Sequence, residues 1–410
     1  MPKYESGKAM RKLMIDYYKK AKLARYTFKK VAWITSGGPV EPLIAMDIIP
    51  IYPENHGAMI GARKMGVELS EVAEKMGYSQ DLCSYFRSDV GQAVTNGGPI
   101  PPIRFLAKGG LPKPDILVCC NNICNTVLKW YEVQARYFNV PLIFLDTPYS
   151  YDGPLDHIIE YVKKQFEEII PQIEKATKRR WNDKKTEKVA ELSARGVQLW
   201  MEVLTMCKHK PAPMSCFDAF FFLAPIVSLR GTQVVVDFYE GLLDELRKFA
   251  EQGVGAVENE KYRLVWDNIP IWYKVRRLSK TLANHGACLV ADTYTNAWAD
   301  NEIDPNAAFE SMARGYSTIF LNCNIDSKID NMCKLIDKYD ADGFIMHSNR
   351  SCKPYSFGQY DIKAAVSRRT GLPGLIIEAD MVDQRSYSDA QVETRIQAFI
   401  ETLAERKASA

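Results

Sequence analysis

Residues 115–125, DILVCCNNICN, decide the fold of this chain. A short apolar run at 116–118 continues into Cys119 and Cys120, and a turn of two asparagines then leads to Cys124. An apolar run of this length, closed by turn-forming residues, predicts a buried strand followed by a helix. The three cysteines at the end of that strand are parts of a disulfide framework, metal ligands or small apolar filler.

The same pattern occurs a second time, at residues 341–352, ADGFIMHSNRSC. In both stretches an aspartate precedes an apolar strand, and Asn-x-x-Cys follows it (121–124 and 349–352). Each is followed by a predicted helix and a second apolar strand, NVPLIFLD at 139–146 and TGLPGLIIE at 370–378. The joint match predicts two similar βαβ units with parallel sheets, which bind ligands at the carboxyl ends of their strands.

Between the two units the apolar period becomes helical, with few breakers. The sequence therefore predicts an α/β protein with an N-terminal domain at 1–154, a mainly helical segment at 155–255 and a C-terminal domain at 256–410. Further predicted elements are a surface helix within 1–28, strands at 31–34, 48–52 and 287–292, a C-terminal helix at 388–406, and a loop or lid rich in glycine and proline at 92–114.

Composition narrows the class of protein. The 410 residues are 47% hydrophobic and 25% charged, as in soluble proteins of two domains. A net charge of +3 gives no nucleic-acid footprint, and no apolar run is long enough to span a membrane. With no secretory segment, we expect a cytoplasmic protein, whose cysteines are not a disulfide framework. The chain has no phosphate-loop or dinucleotide-binding motif, so we expect no bound nucleotide.

The dispersed cysteines leave two interpretations open. If both Asn-x-x-Cys turns lie at strand ends of facing domains, Cys124 and Cys352 meet in the cleft, and Cys83, on a predicted helix, is the best third member. These spacings are not those of a zinc ribbon, but three thiolates can hold an iron–sulfur cluster with one iron open. Buried structural cysteines fit the spacings as well. The cysteines that we expect to be core filler are Cys207, Cys216, Cys288, Cys323 and Cys333.

Four motifs together carry a resemblance to a known family. They are Thr35-Ser36 with Pro39 and Glu41, YPEN at 52–55, CCNNICN followed by KWYE at 129–132, and NRSCK at 349–353. The chain resembles the 2-hydroxyacyl-CoA dehydratase / benzoyl-CoA reductase family from about residue 30 to the final helix. The resemblance implies two Rossmann-like (flavodoxin-like) parallel-sheet domains with a helical segment between them. It also implies a [4Fe–4S] cluster held by Cys83, Cys124 and Cys352, with the fourth position open or not cysteine, and it leaves Cys119 and Cys120 as strand-end packing.

The resemblance also implies catalytic residues. Ser36 would hold the thioester carbonyl or the hydroxyl of the substrate, and Glu54 would move a proton. His56 is a second candidate proton carrier, although a lone histidine is often structural. From the residues alone, a helix N-cap is the preferred interpretation of Ser36.

Polar residues in the cysteine turns are candidates for contacts to the cofactor. Asn121 and Asn122 would supply turn geometry or hydrogen bonds around the cluster, and Asn349 lies at the matching place in the second turn. Arg350 is either a cation near the CoA phosphates or a member of an ordinary salt bridge.

For the activity, the resemblance implies one-electron reduction of an acyl-CoA substrate, together with a second, unlike large subunit. A separate ATP-hydrolysing iron–sulfur activator, supplied by ferredoxin or a similar donor, would deliver the electron. Three segments, LRGT at 229–232, YRLV at 262–265 and EADMVDQR at 378–385, are closer to the aromatic reductase pattern. Our main prediction is therefore an oxygen-sensitive benzoyl-CoA reductase subunit that gives a cyclic dienoyl-CoA. A subunit of an (R)-2-hydroxyacyl-CoA dehydratase, forming 2-enoyl-CoA by a ketyl radical, is the alternative, and a non-catalytic partner or cluster-assembly subunit is the second alternative.

Overall fold

The computed structural model describes residues 4–97, 109–151, 153, 155–299, 303–304 and 307–409. This part of the chain contains two four-stranded parallel sheets. The first sheet has the order β2-β1-β3-β4 and the second the order β6-β5-β7-β8, so that the topology is the same in both. The strands are β1 Lys30–Ile34, β2 Ile48–Ile51, β3 Ile116–Cys120, β4 Leu142–Leu145, β5 Tyr262–Asp267, β6 Ala287–Asp292, β7 Gly343–Asn349 and β8 Gly374–Ala379. The predicted α/β class with two parallel sheets is confirmed.

Helices cover both faces of each sheet, as parallel strands require. Those before and between the first four strands are α1 Ser6–Lys22, α2 Val40–Ala45, α3 Pro53–Ala62, α4 Gly66–Lys75, α5 Ser84–Thr95 and α6 Asn125–Phe138. The middle of the chain forms α7 Asp156–Thr177, α8 Asp183–Thr205, α9 Cys216–Phe222, α10 Ala224–Leu229 and α11 Gln233–Glu251. The remainder are α12 Val275–Asn284, α13 Thr293–Asn296, α14 Ala308–Ser317, α15 Ile325–Lys338, α16 Lys353–Ser356, α17 Gln359–Thr370 and α18 Asp389–Ser409. None of these helices is both long and apolar enough to cross a membrane.

Two hydrophobic cores lie on opposite faces of the sheets, and each core contains residues of both sheets. Successive side chains of a strand point to opposite faces, so Cys119 lies in one core and Cys120 in the other. All five residues of β3 are buried. The near-continuous apolar strands therefore have no solvent face, which fixes their place between helical layers.

The helical segment joins the two sheets. The side chain of Ser193, on α8, donates a hydrogen bond to Glu41 of α2 (3.0 Å). Seven residues further along α8, Trp200 Nε1 donates to the carbonyl oxygen of Thr295 on α13 (3.0 Å). One helix thus contacts elements of both α/β halves; the domain boundaries at 154 and 255 stay predictions.

The repeated aspartates make the same contacts in each sheet. Asp115 Oδ2 accepts a hydrogen bond from the backbone N–H of Val31 (2.9 Å), and the Asp115 N–H donates to the Val31 carbonyl (2.8 Å). In the second sheet Asp342 forms the same pair of bonds with Arg263, at 2.8 and 2.7 Å. Each aspartate fixes the register between the first central strand and the second. The sequence repeat therefore corresponds to a structural repeat.

Two sequence-based expectations differ from the structure. The strand β5 was not predicted, because Arg263 interrupts its apolar pattern; the guanidinium is buried against Glu260 and against the carbonyls of Tyr339 and Cys207. The loop predicted to begin at residue 92 begins later, because α5 continues to Thr95. Residues 98–108 of that loop or lid lie outside the described part of the chain.

If the two aspartates are equivalent, their removal should have equivalent effects. We expect Asp115→Ala and Asp342→Ala each to lower the free energy of unfolding by about 1–2 kcal/mol, because each change leaves a strand N–H without its acceptor. Urea unfolding measures this. Asp330→Ala, which removes only an exposed pair with Arg369, is the matched control and should change stability little. A loss in one aspartate variant without a loss in the other would contradict the equivalence.

Candidate active site

A cavity of about 370 Å³ lies between the carboxyl ends of the two sheets. Its wall includes residues in the turns that follow central strands of both sheets: Ser36 after β1, Cys124 after β3, Ile269 after β5 and Cys352 after β7. Parallel α/β sheets bind their ligands at this end of the strands. The strand order of the fold thus brings four turns, distant in sequence, to one cavity.

The three predicted metal-binding cysteines line this cavity together. Each is the residue that precedes a helix: Cys83 before α5, Cys124 before α6 and Cys352 before α16. Cys83 was expected on the helix itself and is instead its N-cap. Burial raises the pKa of all three thiols, and backbone N–H groups of the following helical turn oppose this rise. Thiolate charge that forms here is therefore stabilised by helix N-termini.

The three cysteine thiols in the cavity wall are the candidate donor atoms of a metal site. Among the described residues, no three His, Cys, Asp or Glu side chains are arranged to hold a single metal ion. The three thiols are nevertheless free, lie in one wall and affect each other electrostatically. Thiolates are the usual ligands of iron–sulfur clusters, in which each ligand binds a different iron. The chemistry of the site therefore fits a cluster rather than one ion.

A hydrogen-bonded chain links two of the cysteine turns. The backbone N–H of Ser84, next to Cys83, donates to Ser351 Oγ, next to Cys352 (3.0 Å). The Ser351 hydroxyl in turn donates to Asp380 Oδ2 (2.5 Å). Asp380 is buried, and its other oxygen accepts from two backbone N–H groups of the segment that follows β8. The chain fixes the separation of Cys83 and Cys352 although the two are remote in sequence.

Ser36 and Glu54 form a pair in the same wall. The backbone N–H of Ser36 donates to Glu54 Oε1 (2.9 Å), and Glu54 lies in the first turn of α3. Burial raises the pKa of Glu54 to about 7, and hydrogen bonds from Ser36 oppose the rise. A carboxyl group with this pKa can both give and take a proton near neutral pH. Ser36 is not an N-cap, because the cap of α2 is Pro39.

The other predicted residues lie outside the cavity wall. His56 is buried in α3 and does not line the cavity. Asn121 bridges its turn to the end of β4, through Asp146 (2.7 Å) and the N–H of Thr147 (2.7 Å). Asn122 donates to the carbonyl of Gly37 (2.9 Å) and also to that of Tyr316. Both asparagines thus hold the cysteine turn in place.

In the second turn, Asn349 Oδ1 accepts from the N–H of Met381 (3.3 Å), so this side chain also fixes a loop. Arg350 is exposed and pairs with Glu378 (2.9 Å). The salt bridge is thus present, and the role of Arg350 as a cation near the CoA phosphates stays a prediction. Neither residue lines the cavity.

The other seven cysteines divide into three groups. Cys119 and Cys120 are fully buried in β3, as expected for strand-end packing. The prediction of core filler is also correct for three, which are Cys207, Cys216 and Cys288. It is wrong for Cys323, which lines the cavity, whereas Cys333 is partly buried and packs against one of the two cores. Both lie in the C-terminal half at ends or faces of helices, where burial cannot be deduced from spacing.

The cavity wall also contains a buried charge network that the sequence did not predict. Arg230 Nε donates to Glu41 Oε1 (3.0 Å) and its Nη2 donates to the Tyr316 hydroxyl (2.6 Å), which itself donates to Glu41 Oε2 (2.5 Å). Arg230 and Tyr316 line the cavity. The network joins α2, the residue after α10, and α14. Glu41 and Arg230 each belong to a motif quoted above, but 189 positions separate them, and the sequence holds no local signal of their contact.

Comparison with known proteins gives a consistent result. The family profile of the 2-hydroxyglutaryl-CoA dehydratase D-component matches residues 35–403. The chain is 36% identical to the (R)-2-hydroxyisocaproyl-CoA dehydratase alpha subunit of Clostridioides difficile, over 99% of this chain and 98% of that one. It is 34% identical to the lactoyl-CoA dehydratase alpha subunit of Anaerotignum propionicum (95% and 94%). Identity to a benzoyl-CoA reductase subunit of Thauera aromatica is 28% (93% and 90%).

This ranking favours our alternative prediction, the dehydratase, over the main one. The segment 378–385 was one of the three that favoured the reductase prediction. Its acidic residues bind other parts of the protein: Glu378 pairs with Arg350, Asp380 accepts from Ser351, and Asp383 pairs with Arg87. None of the residues in these three contacts lines the cavity. The identities and the profile together establish that the chain belongs to the 2-hydroxyacyl-CoA dehydratase / benzoyl-CoA reductase family.

Proposed function

We propose that this chain is the cluster-holding subunit of a 2-hydroxyacyl-CoA dehydratase, an enzyme that converts its substrate to 2-enoyl-CoA. The observation that carries the proposal is one cavity wall that contains three free thiols together with the Ser36–Glu54 pair. Two similar proteins are alpha subunits of such dehydratases, which supports this activity over ring reduction.

Cys83, Cys124 and Cys352 would hold a [4Fe–4S] cluster, with one position not taken by cysteine. Bound there, the cluster would supply one-electron chemistry. The surrounding wall is largely aromatic and aliphatic; examples are Trp130, Tyr294 and Phe320. Such a wall excludes water, which strengthens the electrostatic interactions within the cavity.

Ser36 and Glu54 would act on the thioester. The Ser36 hydroxyl is suited to donate to the carbonyl oxygen of the substrate, where negative charge develops when an electron is added. Glu54, whose pKa of about 7 leaves it partly protonated, is suited to give a proton to the departing 2-hydroxyl group, which leaves as water. Their mutual hydrogen bond keeps both groups on the same side of the cavity.

The charged side chains of the cavity wall indicate whether the acyl group of the substrate carries a charge. Among the described residues, Glu54 and Arg230 are the charged side chains that line the cavity, and Arg230 is already paired with Glu41. In that part of the chain no unpaired cation is therefore available for a second carboxylate. We propose that the acyl chain is uncharged.

We also propose that a second, unlike large subunit and a separate ATP-hydrolysing activator complete the system.

Benzoyl-CoA reduction remains the second candidate, because the similarity to the reductase subunit covers 93% of the chain and an aromatic wall also suits a flat ring. A non-catalytic or cluster-assembly role is the third. The three activities differ in the electrons that they consume, and this difference decides among them.

The electron count is measured without oxygen, with partner subunit, activator, ATP and a counted amount of reductant. For the dehydratase we expect many 2-hydroxyacyl-CoA molecules converted per electron, because the electron is recovered at each turnover. Consumption of two electrons per benzoyl-CoA lost would contradict the proposal and establish the reductase. Conversion of neither substrate by the complete system would indicate a non-catalytic subunit.

Glu54 should also make stability depend on pH. Its pKa is about 7 in the folded protein and near 4.5 when unfolded, so the folded state binds the proton more tightly. The free energy of unfolding should therefore fall as pH rises from about 4.5 to 7, and Glu54→Gln should abolish that part of the fall. The difference between wild type and variant across this window should reach up to about 3 kcal/mol.

Urea unfolding of the metal-free protein at several pH values measures the effect. Glu68→Gln, at an exposed position of α4, is the control and should follow the wild type. If Glu54→Gln has the same pH dependence as the wild type, Glu54 does not titrate near neutral pH, and its role as proton donor is lost.

A further inference from the structure

Lys328 is a buried cation without an obvious counter-ion. It lies on α15, is only 8% exposed, and its Nζ donates a hydrogen bond to the carbonyl oxygen of Pro354 (2.8 Å). In the described parts of the chain no carboxylate lies within ion-pairing distance of Nζ. Lysine is almost never buried unless it is paired, because an ammonium ion loses its hydration.

The nearby carboxylate of Asp267 does not neutralise the ammonium group of Lys328. Asp267 contributes to the field at Lys328, but its own oxygens accept from Thr293 Oγ1 (2.8 Å) and Gln359 Nε2 (3.3 Å). Burial raises the pKa of Asp267, so its negative charge is itself disfavoured. Burial likewise lowers the pKa of Lys328. A positive charge on Lys328 is therefore costly for the metal-free protein.

The position of Lys328 indicates what balances its charge. Pro354 belongs to α16, whose N-cap is Cys352. Thiolate charge on Cys323, which lines the same cavity, and on Cys352 would each raise the pKa of Lys328, with Cys323 the larger of the two effects. The Phe320 ring lies 5.9 Å from Nζ, and Phe320 and Pro354 both line the cavity. The ammonium group therefore lies directly behind the wall that carries the third cysteine.

We propose that Lys328 is a positioning residue that serves as the internal counter-cation of the cluster at Cys352, and that it raises the reduction potential of the cluster. The inference rests on the proposed function. A cluster bound by three thiolates carries net negative charge. That charge would balance the ammonium group of Lys328, which is buried behind the cavity wall. Reduction adds a further negative charge, which a nearby cation stabilises.

Opposite effects on the metal-free and the cluster-containing protein test the proposal. In the metal-free protein, Lys328→Met removes an unbalanced buried charge and should raise the urea midpoint of unfolding. In the reconstituted protein the same change should lower iron retention during dialysis against a chelator. Lys334→Met, at an exposed position of the same helix, should alter neither property, and Lys328→Arg should keep the iron.

The reduction potential gives a readout independent of catalysis. At a fixed potential we expect the ratio of reduced to oxidised cluster in Lys328→Met to fall roughly tenfold, which corresponds to a midpoint about 59 mV lower for a one-electron couple. An EPR-monitored redox titration measures it. An unchanged midpoint with unchanged iron retention would overturn the inference and leave the proposed function standing.

Two further results separate the claims. If the wild-type chain takes up no iron and sulfide, the proposed function fails. If Lys328→Met lowers the stability of the metal-free and the reconstituted protein equally, with no shift of the midpoint, the lysine only packs against Pro354 and Phe320, and the inference is overturned.

Discussion

The hydrogen bond from the Ser84 N–H to Ser351 Oγ is the contact on which the site depends. It joins the residue after Cys83 to the residue before Cys352, and Asp380 holds Ser351 from the other side. Parallel strands of separate sheets set the approximate distance between the cysteine turns, and this bond joins two of the turns directly. A buried, fully bonded chain of this kind is rigid. The interaction converts two similar βαβ units into one preorganised wall.

The burial of charged groups around the cavity is the second constraint. Burial raises the pKa of Glu54 and of the three thiols, and it lowers the pKa of Lys328. Each of these shifts is a cost for the empty protein, since the charged forms lose hydration. Iron bound by the three cysteines would offset the rise of their pKa values, because a coordinating thiol is deprotonated, and the net negative charge of a cluster would offset the lowering at Lys328. Iron at the thiols together with negative charge beside Lys328 would lower these costs, which fits the iron–sulfur cluster that we propose.

Much of this architecture could be predicted from local sequence. The apolar strand closed by Asn-x-x-Cys occurs twice, and strand ends of parallel sheets meet at one side, so Cys124 and Cys352 could be predicted to lie together. Contacts across long separations could not: Arg230 with Glu41 and Lys328 with Pro354 carry no local pattern. The acidic segment 378–385 resembles the ring-reductase pattern in sequence. In the structure its acidic side chains bind other residues of this chain.

Iron and acid-labile sulfide per chain test the central claim, that three turns converge on one cluster, most directly. After anaerobic reconstitution we expect about four of each in the wild type, as for one [4Fe–4S] cluster. Cys124→Ala should lose them, whereas Cys119→Ala, a change at the buried strand end of the same motif, should keep them. Full iron and sulfide in Cys124→Ala, or their loss only in Cys119→Ala, would contradict the account.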